Sequence, residues 1–317
     1  MSERIGMKED KKHRSNNNRN NSSRNNNGGN KSGRNSGSAD RIGKDEGRGR
    51  DIRDKRYHRG RKKKKKAGIF STIILVVALA VFCFSAFQLF KILKGFHDGR
   101  SEYDKVRKLA VEEKKSVGDG EDQFSVNFDE LMKMNPDTIG WIRFHPEPSQ
   151  ISYPIVKGKD NSEYLKKTFS ANENTLGAIF LNVDNNADFM DKNTIIYGHR
   201  MKDGSMFRHL QDYEEKSFWE SNPYFYIYTP DGREITYHIY SAGQVEDTSD
   251  TYLTSFESDE ACQSFMNMTK EVSLYDTGVE LNAQSTIVTL STCTSASDNH
   301  RFVVRGVKEK EVNLKEQ

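Results

Sequence analysis

The chain has 317 residues, 34% of them hydrophobic and 30% charged, so part of it is too polar to bury a core of its own. Residues 1–66 hold 23 of the 49 Lys and Arg but 8 of the 46 Asp and Glu, a net +15; the other 251 residues hold 26 basic and 38 acidic side chains, a net −12. Two parts of opposite sign exclude a uniformly basic nucleic-acid binder, and three Cys in such a length exclude a disulfide-stapled miniprotein.

From Ser15 to Ser38 nearly every residue is Asn, Ser, Gly or Arg, with no aliphatic or aromatic side chain to offset the entropy cost of ordering. Residues 1–66 are therefore expected to form a disordered, basic and Asn-rich tail, ending in Arg61-Lys62-Lys63-Lys64-Lys65-Lys66. Residues 67–90 then run for 24 positions without a charge. As a helix they would extend about 36 Å, enough to cross a hydrocarbon layer of about 30 Å, which predicts one transmembrane helix. A cleaved signal peptide is the alternative, but its apolar stretch would be shorter, and the one small-x-small triplet, Ala78-Leu79-Ala80, lies mid-run. Basic residues crowd the N-terminal flank, so the tail is expected in the cytoplasm and residues 91–317 outside. Cys83, inside the span, reads as a packing or lipid-facing residue.

Residues 91–123 mix both charges and read as a solvated helical stalk in the juxtamembrane region, ending at Gly118-Asp119-Gly120. Residues 124–317 are expected to form one domain. A short helix is predicted at 128–134, stopped by Asn135-Pro136. Runs rich in β-branched and aromatic residues predict strands at 139–144, 153–156, 178–181, 194–197, 224–229, 234–245, 286–292 and 301–307. Eight short strands without βαβ alternation predict a mainly β fold with added helices, a closed or nearly closed eight-stranded barrel. One further helix is expected at 259–268, with Cys262, Phe265 and Met266 at helical spacing toward the core.

The chain has no His-Glu-x-x-His, no Cys-x-x-Cys, no Asp-rich calcium loop and no phosphate-cradling glycine loop, so neither metal nor cofactor is expected. Nucleophilic catalysis is left. Cys293 ends the apolar run Ile287-Val288-Thr289-Leu290-Ser291-Thr292 and precedes the polar segment 294–299, which sets it at a strand end where a site can open. The bland reading is a small buried hydrophobe. Against that reading, the strand Thr194-Ile195-Ile196-Tyr197 ends at Gly198-His199, and Arg301 opens the strand after the Cys293 loop. A thiol with a pKa near 8.5 is only a few per cent thiolate at neutral pH, and a neighbouring imidazolium or guanidinium raises that fraction. His199 can protonate a leaving amine, and Arg301 can hydrogen-bond an oxyanion. His300 is the rival to His199, Asp298 could orient an imidazole, and His238 and His209 read as packing or surface residues. A non-catalytic anchored binding module with Cys293 as filler stays open at this level.

Thr289-Leu290-Ser291-Thr292-Cys293 with Arg301 eight residues on, followed by Phe302-Val303-Val304, resembles the signature of sortases, the membrane-anchored cysteine transpeptidases of Gram-positive bacteria. Residues 153–161, 177–181 and 195–207 resemble class B members, and the helix at 259–268 resembles the extra helix of that class. The likeness covers roughly residues 125–307. It implies an eight-stranded sortase-type β-barrel in which Cys293 is the nucleophile, His199 the general acid/base and Arg301 the oxyanion and substrate-positioning group, with no cofactor. It also implies the reaction. A C-terminal sorting signal of the Asn-Pro-x-Thr type would be cleaved after Thr through a thioester and passed to an amine of the cell wall, in a peptidoglycan precursor or cross-bridge, or to a pilin lysine. The implied partners are surface proteins bearing such a signal. The long Asn-rich tail exceeds what an anchor requires. An exported cysteine peptidase, with water resolving the acyl-enzyme, is the alternative within the same chemistry.

Overall fold

The computed structural model describes residues 67–114, 123–293 and 299–315. The basic tail, the break at 118–120 and the loop carrying Asp298 lie outside the described residues. Helix α1 (Ala67–Ala110) is continuous over 44 residues, and its N-terminal half exposes apolar side chains such as Ile73, Leu79 and Phe82 on every side. It is long and apolar enough to cross a membrane. After the apolar run the helix continues only to Ala110, not across residues 91–123, and it is not solvated all round. Tyr103, Val106 and Ala110, at i, i+3 and i+7, form one buried stripe against the domain.

A two-stranded hairpin, β1 (Val111–Lys114) with β2 (Gln123–Val126), follows; neither strand was expected, β1 because it is charged and β2 because it is short. Helix α2 (Phe128–Met134) starts at Asn127, whose side chain accepts from the Glu130 amide, and ends at Asn135. The remaining strands are β3 (Thr138–Phe144), β4 (Ser152–Val156), β5 (Ile179–Leu181), β6 (Asn193–Tyr197), β7 (Tyr224–Tyr228), β8 (Arg233–Glu246), β9 (Ile287–Cys293) and β10 (His300–Asn313). They close into an eight-stranded barrel in the order β10-β8-β7-β3-β4-β5-β6-β9. Closure leaves no free edge to template other chains. Helix α3 (Lys216–Ser221) and a 3-10 helix at Arg208–Glu214 precede β7.

Large side chains fill the interior: Trp141, Phe144, Phe225, Tyr237 and Phe302 are buried, with Phe225 stacked on Tyr237 at 5.0 Å. Helix α4 (Asp259–Glu271), between β8 and β9, is capped by Ser258 and buries Cys262, Phe265 and Met266. With Tyr240 and Ile287 they form a second, smaller core. Two parallel pairings interrupt the otherwise antiparallel barrel, β4 with β5 and β6 with β9. The second of these builds the site.

Candidate active site

In the parallel β6–β9 pair Tyr197 lies opposite Ser291, and the Gly198 amide donates to the Ser291 carbonyl at 3.1 Å. Two residues past the end of this pairing on β6, His199 lines the barrel rim together with Thr292, the residue before Cys293 at the end of β9. On the other side of β9 the antiparallel ladder sets Arg301 of β10 directly opposite Cys293. Three neighbouring strands thus bring residues separated by about a hundred positions to one barrel end.

Between them opens a cavity of ≈ 220 Å³ lined by Leu165, Phe180, Tyr197, His199, Thr292 and Arg301, among others. His199 is half-buried, and its Nε2 lies 2.6 Å from the Leu165 carbonyl oxygen. A carbonyl only accepts, so Nε2 carries the proton in that contact. Arg301 Nη2 donates to Asp247 Oδ2 at 3.2 Å, and Nη1 to the His300 carbonyl at 3.1 Å, which fixes the guanidinium at the rim. His300 opens β10 beside it, opposite Glu246. His209 and His238 have partners of their own. His209 Nδ1 meets Asp212 at 2.8 Å, while His238 meets Glu309 at 2.9 Å and packs on the Tyr224 ring.

Beside this cavity a second one, lined by Tyr197, Asp247, Tyr252 and Arg301, was not foreseen from the sequence. The turn Asp250–Tyr252 carries Tyr252, whose ring stacks on Tyr197 at 6.2 Å and whose hydroxyl meets Ser291 Oγ at 2.9 Å. Burial pushes both phenols up, and the neighbouring Tyr252 adds to the rise at Tyr197, so these two rings stay uncharged at any physiological pH. Beneath them a buried polar cluster holds the turn. Asn193 Nδ2 donates to the carbonyls of Thr251 (3.1 Å) and Leu253 (2.8 Å), and Arg305 Nη2 donates to Thr251 Oγ1 at 3.0 Å. Among the described residues no group of three His, Cys, Asp or Glu converges as a metal site would require.

A groove with an imidazole and a guanidinium at its rim, and a Cys paired across the ladder with that Arg, suits acyl transfer from an extended peptide. Residues 147–309 match the family model of the sortase domain. Sortase B of Listeria monocytogenes is 31% identical over 238 residues, covering 74% of this chain and 94% of that protein. Among solved structures, sortase B of Bacillus anthracis in complex with AAEK1 superposes with a TM-score of 0.58 at 32% identity, over 69% of this chain and 100% of that one. A Staphylococcus aureus sortase B–substrate complex superposes with a TM-score of 0.54 at 32% identity, over 58% of this chain and 84% of that one.

Proposed function

The chain belongs to the sortase family, in its class B branch, and on that footing we propose that Cys293, His199 and Arg301 carry out a transpeptidation on a sorting signal of the Asn-Pro-x-Thr type. The reading is supported above all by the β6–β9–β10 adjacency and by the cavity at its end, which His199 and Arg301 both line.

The Cys293 thiolate attacks the Thr carbonyl carbon and forms a tetrahedral oxyanion, toward which Arg301 donates from its Asp247-braced position. Collapse breaks the Thr amide bond, leaves a thioester, and requires a proton on the departing amine. His199 supplies it. Its Nε2–H is engaged by the Leu165 carbonyl, so Nδ1 is the nitrogen that exchanges the proton with the reacting groups. The incoming amine of a peptidoglycan precursor or cross-bridge, or of a pilin lysine, gives its proton back to the same nitrogen as it attacks the thioester. The apolar half of α1 serves as the membrane anchor, with the basic residues 1–66 on the cytoplasmic side and the barrel outside.

Incubating the full-length protein in detergent with an Asn-Pro-x-Thr peptide, with and without an amine acceptor, tests the reaction. Amide product that depends on the acceptor is expected. Hydrolysis at the same rate whether or not the amine is present would mean that water resolves the thioester, and the protein would then act as a peptidase.

A further inference from the structure

The half of α1 beyond the apolar run grips the domain at chosen points. Glu102 accepts from Thr168 Oγ1 (2.9 Å), the Ser170 amide (2.9 Å) and Asn172 Nδ2 (3.2 Å), capturing a whole turn with one carboxylate. Tyr103, buried, donates to the Gly177 carbonyl at 2.7 Å and accepts from the Phe169 amide at 3.2 Å. Asn174 Nδ2 donates back to the Gly95 carbonyl at 2.9 Å, and at Gly99 a Cβ would stand 2.9 Å from Leu176 Cδ2, so the helix lies close against this segment. On its other flank Arg100 Nε meets Asp203 Oδ2 at 2.7 Å. Tyr153, edge-on to Tyr103 at 5.3 Å, accepts from the Met206 amide at 3.1 Å.

These contacts converge on the two segments that border His199. The segment 165–177 supplies the carbonyl that holds Nε2 and the glycine that abuts the ring. The segment 199–206 is the imidazole's own loop, closed by the Arg200–Met206 bridge and by the Phe207 amide donating to the His199 carbonyl at 2.9 Å. Apart from a single 3-10 turn, Glu163–Leu165, at its start, neither segment has regular structure to hold it, so tertiary contacts set where it lies.

We propose that the outer half of α1 is a positioning element for His199, with Glu102 and Tyr103 as the positioning residues, so that the anchor helix and the reactive imidazole move as one body. The proposal rests on His199 being the acid/base. Unlike a passive tether, a helix in this role transmits its orientation at the membrane to the ring through two hydrogen-bonded loops.

The test uses the full-length protein in phospholipid nanodiscs, turning over a fluorogenic Asn-Pro-x-Thr peptide. Tyr103→Phe and Glu102→Gln keep shape and weaken the grip, the first losing both Tyr103 hydrogen bonds and the second one of the two acceptor oxygens; Lys105→Ala on the exposed side of the helix is the control, and His199→Ala is the reference. Each grip variant is expected to lower kcat about tenfold, the size of one or two lost hydrogen bonds, with KM within about twofold and a displaced pH profile, whereas Lys105→Ala matches the parent. Should one variant fail to fold, the other decides. Grip variants with parental kcat and pH profile, or with only a lower melting temperature, would overturn the proposal while an inactive His199→Ala left the acid/base reading standing. An active His199→Ala would remove that reading, and the proposal with it.

Discussion

Gly177 lies directly against the imidazole of His199. Its φ is +63°, and a Cβ there would stand 2.7 Å from His199 Cδ2 and 2.8 Å from the Leu165 carbonyl oxygen that holds the same ring. Alanine fits neither the backbone nor the space. Gly177→Ala is expected to lower kcat/KM by about 10- to 100-fold while the barrel stays folded, since a ring displaced by even an ångström loses proton-transfer geometry. Steady-state kinetics beside a circular-dichroism melting curve checks this.

Arg301 acts through a fork that Asp247 braces from one side. Arg301→Lys keeps the charge but loses the paired donors, and a loss of about 100-fold or more in kcat is expected, whereas Asp247→Asn, which only loosens the guanidinium, costs about 3- to 10-fold. Equal losses in both variants would mean that Asp247 has a role of its own.

Cys262 is a natural internal control for thiol chemistry. It is 2% exposed on α4, and burial pushes its thiol up. Iodoacetamide near neutral pH is expected to label Cys293 at least about 100-fold faster than Cys262, read by peptide mass mapping, because only an accessible thiolate alkylates. Mapping under non-reducing conditions should find no disulfide between the two in active protein.

The Arg100–Asp203 contact predicts an acid-side effect. Burial alone would raise the Asp203 carboxyl, but hydrogen bonds from Ser205 and Arg100 outweigh it and hold the group below the ordinary carboxylate range. A depressed folded value adds stability that is complete above about pH 4 and disappears as pH falls through the folded value. Asp203→Asn should therefore melt below the parent at pH 5–7, with the gap closing toward pH 2–3. A gap that widened in acid would reverse the assignment.

The barrel strands were readable because each buries one or both faces, which forces β-branched and aromatic runs such as Ile139–Phe144 and Ile287–Thr292. Where burial stops, the signal stops. β10 continues to Asn313 through Lys308-Glu309-Lys310-Glu311, held by its ladder to β8 rather than by side-chain pattern, and β1, Val111-Glu112-Glu113-Lys114, is similarly charged. In α1 the buried stripe was present at i, i+3 and i+7 but was masked by the charges around it. At the site, Cys293, His199 and Arg301 stood out as residue types at strand ends. What spacing could not convey is the parallel β6–β9 pairing that runs the two strands leading to His199 and Cys293 side by side to the same barrel end. Nor could it convey the carbonyl of Leu165, 34 residues before the imidazole it holds, or the Asn193 and Arg305 support beneath Tyr252. Backbone carbonyls and buried hydroxyl networks leave no residue-type signature.

The most direct test of the account is intact-protein mass spectrometry of the full-length chain mixed with an Asn-Pro-x-Thr peptide in the absence of amine. The predicted result is a covalent adduct equal in mass to the peptide's N-terminal fragment through Thr, mapped to Cys293, released by an added amine with formation of the matching amide, and absent from Cys293→Ala. Peptide turnover that persists in Cys293→Ala, or an adduct mapped to another residue, would contradict it.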